Sequence, residues 1–210
     1  MIFPCYYLAP LSYYAIMNAG KEELVVEQFD SYTKQTFRNR CSIYGANGKT
    51  DLVIPVVKDH GKKTLLKDVR IEYVTPWQKT HWRSILSAYA SAPFFEYYED
   101  SFAPFYKKQY EFLLDLNMEL LRMTLDLLEI RRTIRTSTEF STPEAGRDLN
   151  SSIHPKKAFS HLDFPYKAVP YHQVFSEKHG FIPDLSIMDL LFNEGPNAMM
   201  VLKGGMNSDI

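Results

Sequence analysis

Nine consecutive residues, Tyr32-Thr33-Lys34-Gln35-Thr36-Phe37-Arg38-Asn39-Arg40, bring three cations, two side-chain amides and several hydroxyls into one short stretch. Arginine offers a planar fork that matches a carboxylate or phosphate, and lysine a point charge on a long stem. Lys34, Arg38 and Arg40 are therefore candidates to hold an anion, with Gln35 and Asn39 placed to orient whatever carries it. The same residues equally describe a solvated basic face. Residues 34–83 hold 11 Lys and Arg against 4 Asp and Glu, whereas residues 84–130 hold 3 against 8. A basic half and an acidic half that attract each other would look the same. His81 is the other candidate. Its unperturbed pKa near neutrality suits a general base. Yet it stands one helical turn from Trp77 and next to Trp82, where a hydrogen-bonded core histidine is the plainer reading.

Other chemistries lack a sequence signature. His60, His154, His161, His172 and His179 show neither the His-x-x-x-His nor the paired Cys/His spacing of a zinc site, so no metal is expected. Cys5 and Cys41 read as reduced packing residues rather than a disulfide or a catalytic thiol. There is no Gly-x-Ser-x-Gly elbow, Walker loop or Gly-x-Gly-x-x-Gly. A net charge of −1 over 210 residues argues against general nucleic-acid binding. At 45% hydrophobic and 23% charged, the composition is that of an ordinary globular chain. The aromatic share of 14% is high, and 12 aromatics fall between Trp77 and Phe112. They form either a core with a tyrosine rim or a stacking wall for a base or sugar. Residues 1–20 carry no Asp, Glu, Lys or Arg but contain Pro4, Pro10, Asn18 and four tyrosines. That fits neither a cleavable signal nor a spanning helix, so a cytoplasmic protein without a transmembrane segment is expected.

The elements that must position these groups follow from periodicity. An apolar run at 2–8, a helical stretch at 11–19 stopped by Gly20, and the β-branched run Leu24-Val25-Val26-Glu27 predict a small βαβ unit. Runs at 40–44 and 51–57 flank Gly45-Ala46-Asn47-Gly48 and predict a hairpin. Residues 58–63 read as a polar loop and 69–74 as a further strand. Trp77, His81, Ile85 and Tyr89 share one face of a helix that ends before Pro93. The segment 94–105 is aromatic and partly irregular, being broken by Pro104. Apolar residues then recur at steps of three and four from Phe105 to Ile130, predicting one helix of six or seven turns. A strand at 131–137 follows. Residues 138–160 read as a long loop or lid. Ile187-Met188-Asp189-Leu190-Leu191-Phe192 predicts a helix capped near Asp184 or Ser186 and stopped at Gly195-Pro196, and 204–210 should fray. The sum is an α/β chain: a small mixed sheet with an N-terminal βαβ-like unit, an inserted antiparallel hairpin and a helical C-terminal half.

Several of these motifs, in this order, resemble the WbqC-like family. They are Tyr32-Thr33-Lys34-Gln35, Arg38-Asn39-Arg40, Gly45-Ala46-Asn47-Gly48, Leu52-Val53-Ile54-Pro55-Val56, Trp77, His81-Trp82, Ala88-Tyr89 and Ala92-Pro93-Phe94-Phe95-Glu96-Tyr97-Tyr98. Asn117, Tyr171-His172-Gln173-Val174-Phe175 and the run from Gly180 to Pro196 continue the likeness, which covers nearly the whole chain apart from 138–160. It implies a single domain over 1–210, strand-rich to residue 76 and helix-rich beyond. It also implies a place in bacterial surface-polysaccharide (O-antigen) biosynthesis, as a transferase of an amino acid or acyl group onto a nucleotide-activated sugar. The partners so implied are a nucleotide sugar and an acyl donor; a homo-oligomer is compatible. In that scheme Lys34, Arg38 and Arg40 would hold the pyrophosphate or an acyl carboxylate, Gln35 and Asn39 would orient the sugar, and His81 would take the proton. A non-catalytic sugar- or nucleotide-binding accessory protein of the same pathway shares the anion site and needs no base. The resemblance carries over no catalytic residue and no cofactor.

Overall fold

The computed structural model describes residues 1–20, 23–57, 63–140, 149–156 and 166–206. Residues 58–62 of the expected polar loop at 58–63, much of 138–160, and 207–210 lie outside them. Val25 and Val26 sit in the middle strand of a parallel sheet. Strands β1 (Ile2–Pro4), β2 (Leu24–Glu27) and β5 (Ile134–Thr136) run in the order β1-β2-β5, with Phe3 beside Val26 and Val26 beside Thr136. The connection from β1 to β2 is helix α1 (Leu11–Ala19), so the expected βαβ unit is present. The hairpin is β3 (Arg40–Gly45) against β4 (Gly48–Val53). Its positive φ falls on Gly48, at 97°, so the glycine rather than Asn47 turns the chain. The α/β class and the helical C-terminal half stand as expected.

Three elements differ from their sequence patterns. Residues 69–74 form no strand. The backbone there serves two neighbours: Arg70 and Glu72 pair with Val57 and Pro55, while Val69 and Ile71 pair with Leu113 and Glu111. The long helix is also shorter than its apolar repeat. After α2 (Trp77–Tyr89) and α3 (Phe95–Phe102), Pro104 opens a 3-10 turn, Ala103–Tyr106, and Phe112 is extended, paired with Arg70. Helix α4 then covers only Leu113–Leu127. A proline and a strand-like bridge interrupt the backbone where the side-chain period does not change. The segment 94–105, expected to be partly irregular, is helical from Phe95 onward, with Pro104 in its 3-10 turn.

Two short turns, α5 (Leu149–Ser152) and α6 (Ser176–His179), precede α7 (Ile187–Glu194). Helix α7 is capped by the Ser186 hydroxyl, which accepts from Met188 N–H, and ends at Gly195 with φ 53°. A last helix, α8 (Ala198–Gly204), was not expected; α1 packs against α7 and α8. The aromatic excess is mostly core: Phe192 lies 5.1–5.2 Å from the rings of Tyr89, Phe95 and Phe102. Many of the tyrosine hydroxyls find internal partners. Tyr13 donates to Pro4 O at 2.6 Å, Tyr6 to Leu149 O and Ile153 O, and Tyr44 to Phe175 O and Gly180 O.

Helix α1 begins after Pro10 and has no side-chain cap of its own. Asp184 supplies one from far along the chain, accepting from Ser12 N–H at 2.7 Å and from Ser12 Oγ–H at 2.9 Å. A carboxylate at a helix N-terminus satisfies orphan donors and complements the helix dipole. Asp184→Ala is expected to cost about 1–2 kcal/mol. Urea unfolding should show a lower midpoint at unchanged slope.

Candidate functional site

The three parallel strands end on one side of the sheet, and a cleft of about 300 Å³ opens there. Ligand sites in parallel sheets form outside the carboxyl ends of the strands, where the backbone runs out and loops diverge. Pro4, the last residue of β1, and Glu27, the last of β2, line this cleft with Asp30, Thr33, Thr36, Arg38, Phe140, Asn150 and His154. Glu27 is 4% exposed. Its Oε1 accepts from Phe29 N–H at 2.7 Å and from the Ser137 hydroxyl at 2.8 Å. Ser137 follows β5 and donates its own N–H to Val26 O at 2.8 Å, so the carboxylate is set by the ends of two adjacent strands.

Arg38 reaches the same cleft from the loop before β3. That loop folds tightly: Gln35 has φ 62°, and the Thr36 hydroxyl donates back to Thr33 O at 2.8 Å. It is braced from beneath. Tyr7 N–H donates to Phe37 O at 2.9 Å, and the buried Asn117 of α4 donates its Nδ2–H to Arg38 O at 2.8 Å. The guanidinium is 3% exposed as a residue and pairs with Asp30. The same nitrogen donates to Asn150 Oδ1 at 2.9 Å, and Asn150 Nδ2 donates to Asp30 Oδ2 at 3.3 Å. Three segments, the β2 exit, the loop before β3 and α5, thus meet in one hydrogen-bonded cluster. Arg38 Nε is buried without a partner among the described residues.

The six residues nominated from sequence are dispersed. Only Arg38 lines the cleft. Gln35 lies at the surface beside it and accepts a hydrogen bond from Lys156. Lys34 is exposed on the same loop and does not line the cleft. Arg40 turns to the hairpin and pairs with Asp51 at 3.5 Å. Asn39 is buried and donates to Ile54 O at 2.8 Å, which holds the end of the hairpin. The three cations therefore do not converge on one point.

His81 is 4% exposed and faces the core, ringed by Trp77, Tyr7 and Tyr106. Its Nε2 lies 3.2 Å from Val53 O and its Nδ1 3.2 Å from Tyr7 Oη. A carbonyl only accepts, so Nε2 carries the proton and Nδ1 accepts from the Tyr7 hydroxyl. Tyr106, at 2.8 Å, must then donate to Tyr7. Burial lowers the His81 pKa to about 4, so the ring is neutral at pH 7. The cysteines are likewise inert packing groups; burial raises Cys5 to about 12.

Glu27, Asp30, Asn150 and His154 were not nominated. Glu27 and Asp30 stand within a few residues of the basic stretch, and a strand ending in a carboxylate was the available signal. Asn150 lies 112 residues from Arg38 and carried none. Among the described residues, no group of three or more His, Cys, Asp and Glu side chains could hold a metal ion, and no helix is long and apolar enough to cross a membrane.

Comparison with known proteins agrees with the sequence motifs. The uncharacterised protein Rv1507c of Mycobacterium tuberculosis is 26% identical over 207 residues, covering 88% of this chain and 89% of that protein. No solved structure matches. The WbqC-like protein family matches residues 5–161 and 138–201, which leaves only the extreme ends unmatched, and the chain belongs to that family.

Proposed function

We propose that the protein is a transferase of bacterial polysaccharide biosynthesis that places an acyl or aminoacyl group on a nucleotide-activated sugar, and that the cleft at the strand ends is where the sugar sits. The observation that carries this reading is the convergence of Glu27, Asp30, Arg38 and Asn150 there. Carboxylates, an amide and a guanidinium on a rigid strand-end frame are the donors and acceptors that a polyhydroxy ring requires. Glu27 is the group placed to take the proton. As the sugar's hydroxyl or amine attacks the acyl carbon, its proton passes to the Glu27 carboxylate. The bond to the donor's leaving group breaks, and that group departs with the electron pair. His81 belongs to the core in this reading, with both nitrogens engaged.

Differential scanning fluorimetry against UDP-, GDP- and dTDP-sugars tests it. A ligand at a hundredfold its Kd should stabilise the chain by about 2.7 kcal/mol. Asn150→Ala should weaken that shift. Glu27→Gln should keep binding and lose turnover with thioester or aminoacyl donors. No shift with any sugar nucleotide would overturn the reading.

A further inference from the structure

Resting on that reading, we propose which part of the substrate the cleft takes: a single pyranose ring, its C–H face stacked on Phe140 and its hydroxyl edge read by Asp30, Asn150 and Arg38. Phe140 lines the cleft and is 57% exposed, although a phenylalanine gains most by burial. It joins Ile2, Pro4 and Leu149 in an apolar side of the cleft that faces the polar residues, and it is the one Phe, Tyr or Trp ring among its described lining residues. Sugars are two-sided in the same way, with hydroxyls around the edge and an apolar patch of C–H groups on a face.

Size and charge separate this from a nucleotide subsite. At about 300 Å³ the cleft is at the bottom of the range for small-molecule sites, room for one ring rather than for base, pyrophosphate and sugar together. Arg38 is the one lysine or arginine among its described lining residues, and it is already committed to Asp30. Glu27 adds a second carboxylate. A pyrophosphate placed there would face two acidic groups against one neutralised cation. A neutral ring meets no such repulsion, and vicinal hydroxyls can donate to Asp30 while Asn150 supplies both a donor and an acceptor. The nucleotide end then lies outside the cleft.

Isothermal titration calorimetry with each nucleotide sugar and with its matching nucleoside diphosphate tests the assignment. The sugar-bearing ligand should bind at least tenfold more tightly than the diphosphate alone. Phe140→Ala should weaken it about tenfold, in the range that an aromatic contact supplies, and Phe140→Trp should restore it. Phe140 is exposed, so these variants keep their fold, which the unfolding midpoint checks. If the diphosphate binds as tightly as the nucleotide sugar, or Phe140→Ala changes nothing while the sugar nucleotide still binds, the pyranose assignment fails and the broader reading stands. If no member of the panel binds at all, both fail.

Discussion

Asp189→Ala is expected to be among the most destabilising single changes in this chain, at about 4 kcal/mol. Asp189 is 0% exposed on α7 and no lysine or arginine pairs with it among the described residues. Its charge is held by hydrogen bonds alone. Tyr89 donates to Oδ1 at 2.9 Å, while Tyr171 at 2.5 Å and Gln173 Nε2 at 2.9 Å donate to Oδ2. Burial still pushes its pKa above the ordinary carboxylate value, with the three donors working against that. Removing the carboxylate takes the acceptor from the Tyr89 and Tyr171 hydroxyls and leaves Gln173 Nε2 only Ile182 O and Tyr171 Oη, each lost bond to a buried group costing roughly 1–3 kcal/mol. Several segments come loose at once. Tyr89 Oη also accepts from Tyr44 N–H on β3, and Gln173 exchanges two bonds with Ile182. For a chain of this length the loss should lower Tm by roughly 10 °C in calorimetry. Asp189→Asn keeps one acceptor and should cost about half as much. An alanine variant within 1 kcal/mol of wild type would show that the network contributes no net stability.

The same residues show what a sequence can and cannot disclose. Leu24-Val25-Val26 announced β2, and Ser186 with Gly195 bounded α7, because strand propensity and caps are local properties. The limits of α4 were not local. Phe105, Gln109 and Phe112 keep the helical period, but Pro104 and the pairing of Phe112 with Arg70 decide the backbone. The site divides in the same way. Arg38 was legible as a cation in a loop between rigid elements, and Asp30, which neutralises it, is eight residues away, but the Asn150 amide that completes the cluster lies 112 residues off. His81 was legible in part. Its grouping with Trp77, Ile85 and Tyr89 on one face of α2 already contained the core placement, since that whole face is buried. Spacing could not say that Val53 and Tyr7 would take both ring nitrogens. The aromatic excess serves packing first, with most hydroxyls spent inside; Phe140, outside the dense run, is exposed at the strand-end cleft.

His81 gives the second large effect, a loss of stability on acidification. Its pKa is near 6.5 in an unfolded chain and about 4 in the fold, lowered by burial. The folded state therefore binds fewer protons than the unfolded state across that window, and stability rises with pH there. The contribution is complete above pH 6.5 and is lost as the pH falls towards 4. A difference of that size amounts to about 3 kcal/mol. Protonation would put a second N–H against the Tyr7 hydroxyl, reversing the Tyr106–Tyr7–His81 chain inside the core. Asp184 works in the opposite sense: its folded pKa is raised to about 6 by burial, so its contribution is present at low pH and lost as the pH rises through 6. Asp189, also raised, acts in the same sense as Asp184, and a wild-type profile alone would show only the net of these slopes. His81→Gln separates them. Glutamine can still donate to Val53 O but does not titrate, so the variant should be less stable than wild type at pH 7.5 and nearly equal to it at pH 4. Denaturant unfolding of both proteins between pH 4 and 7.5 measures the gap. A gap that stays constant with pH would mean that His81 does not carry the lowered pKa, and with it the neutral core tautomer would be wrong.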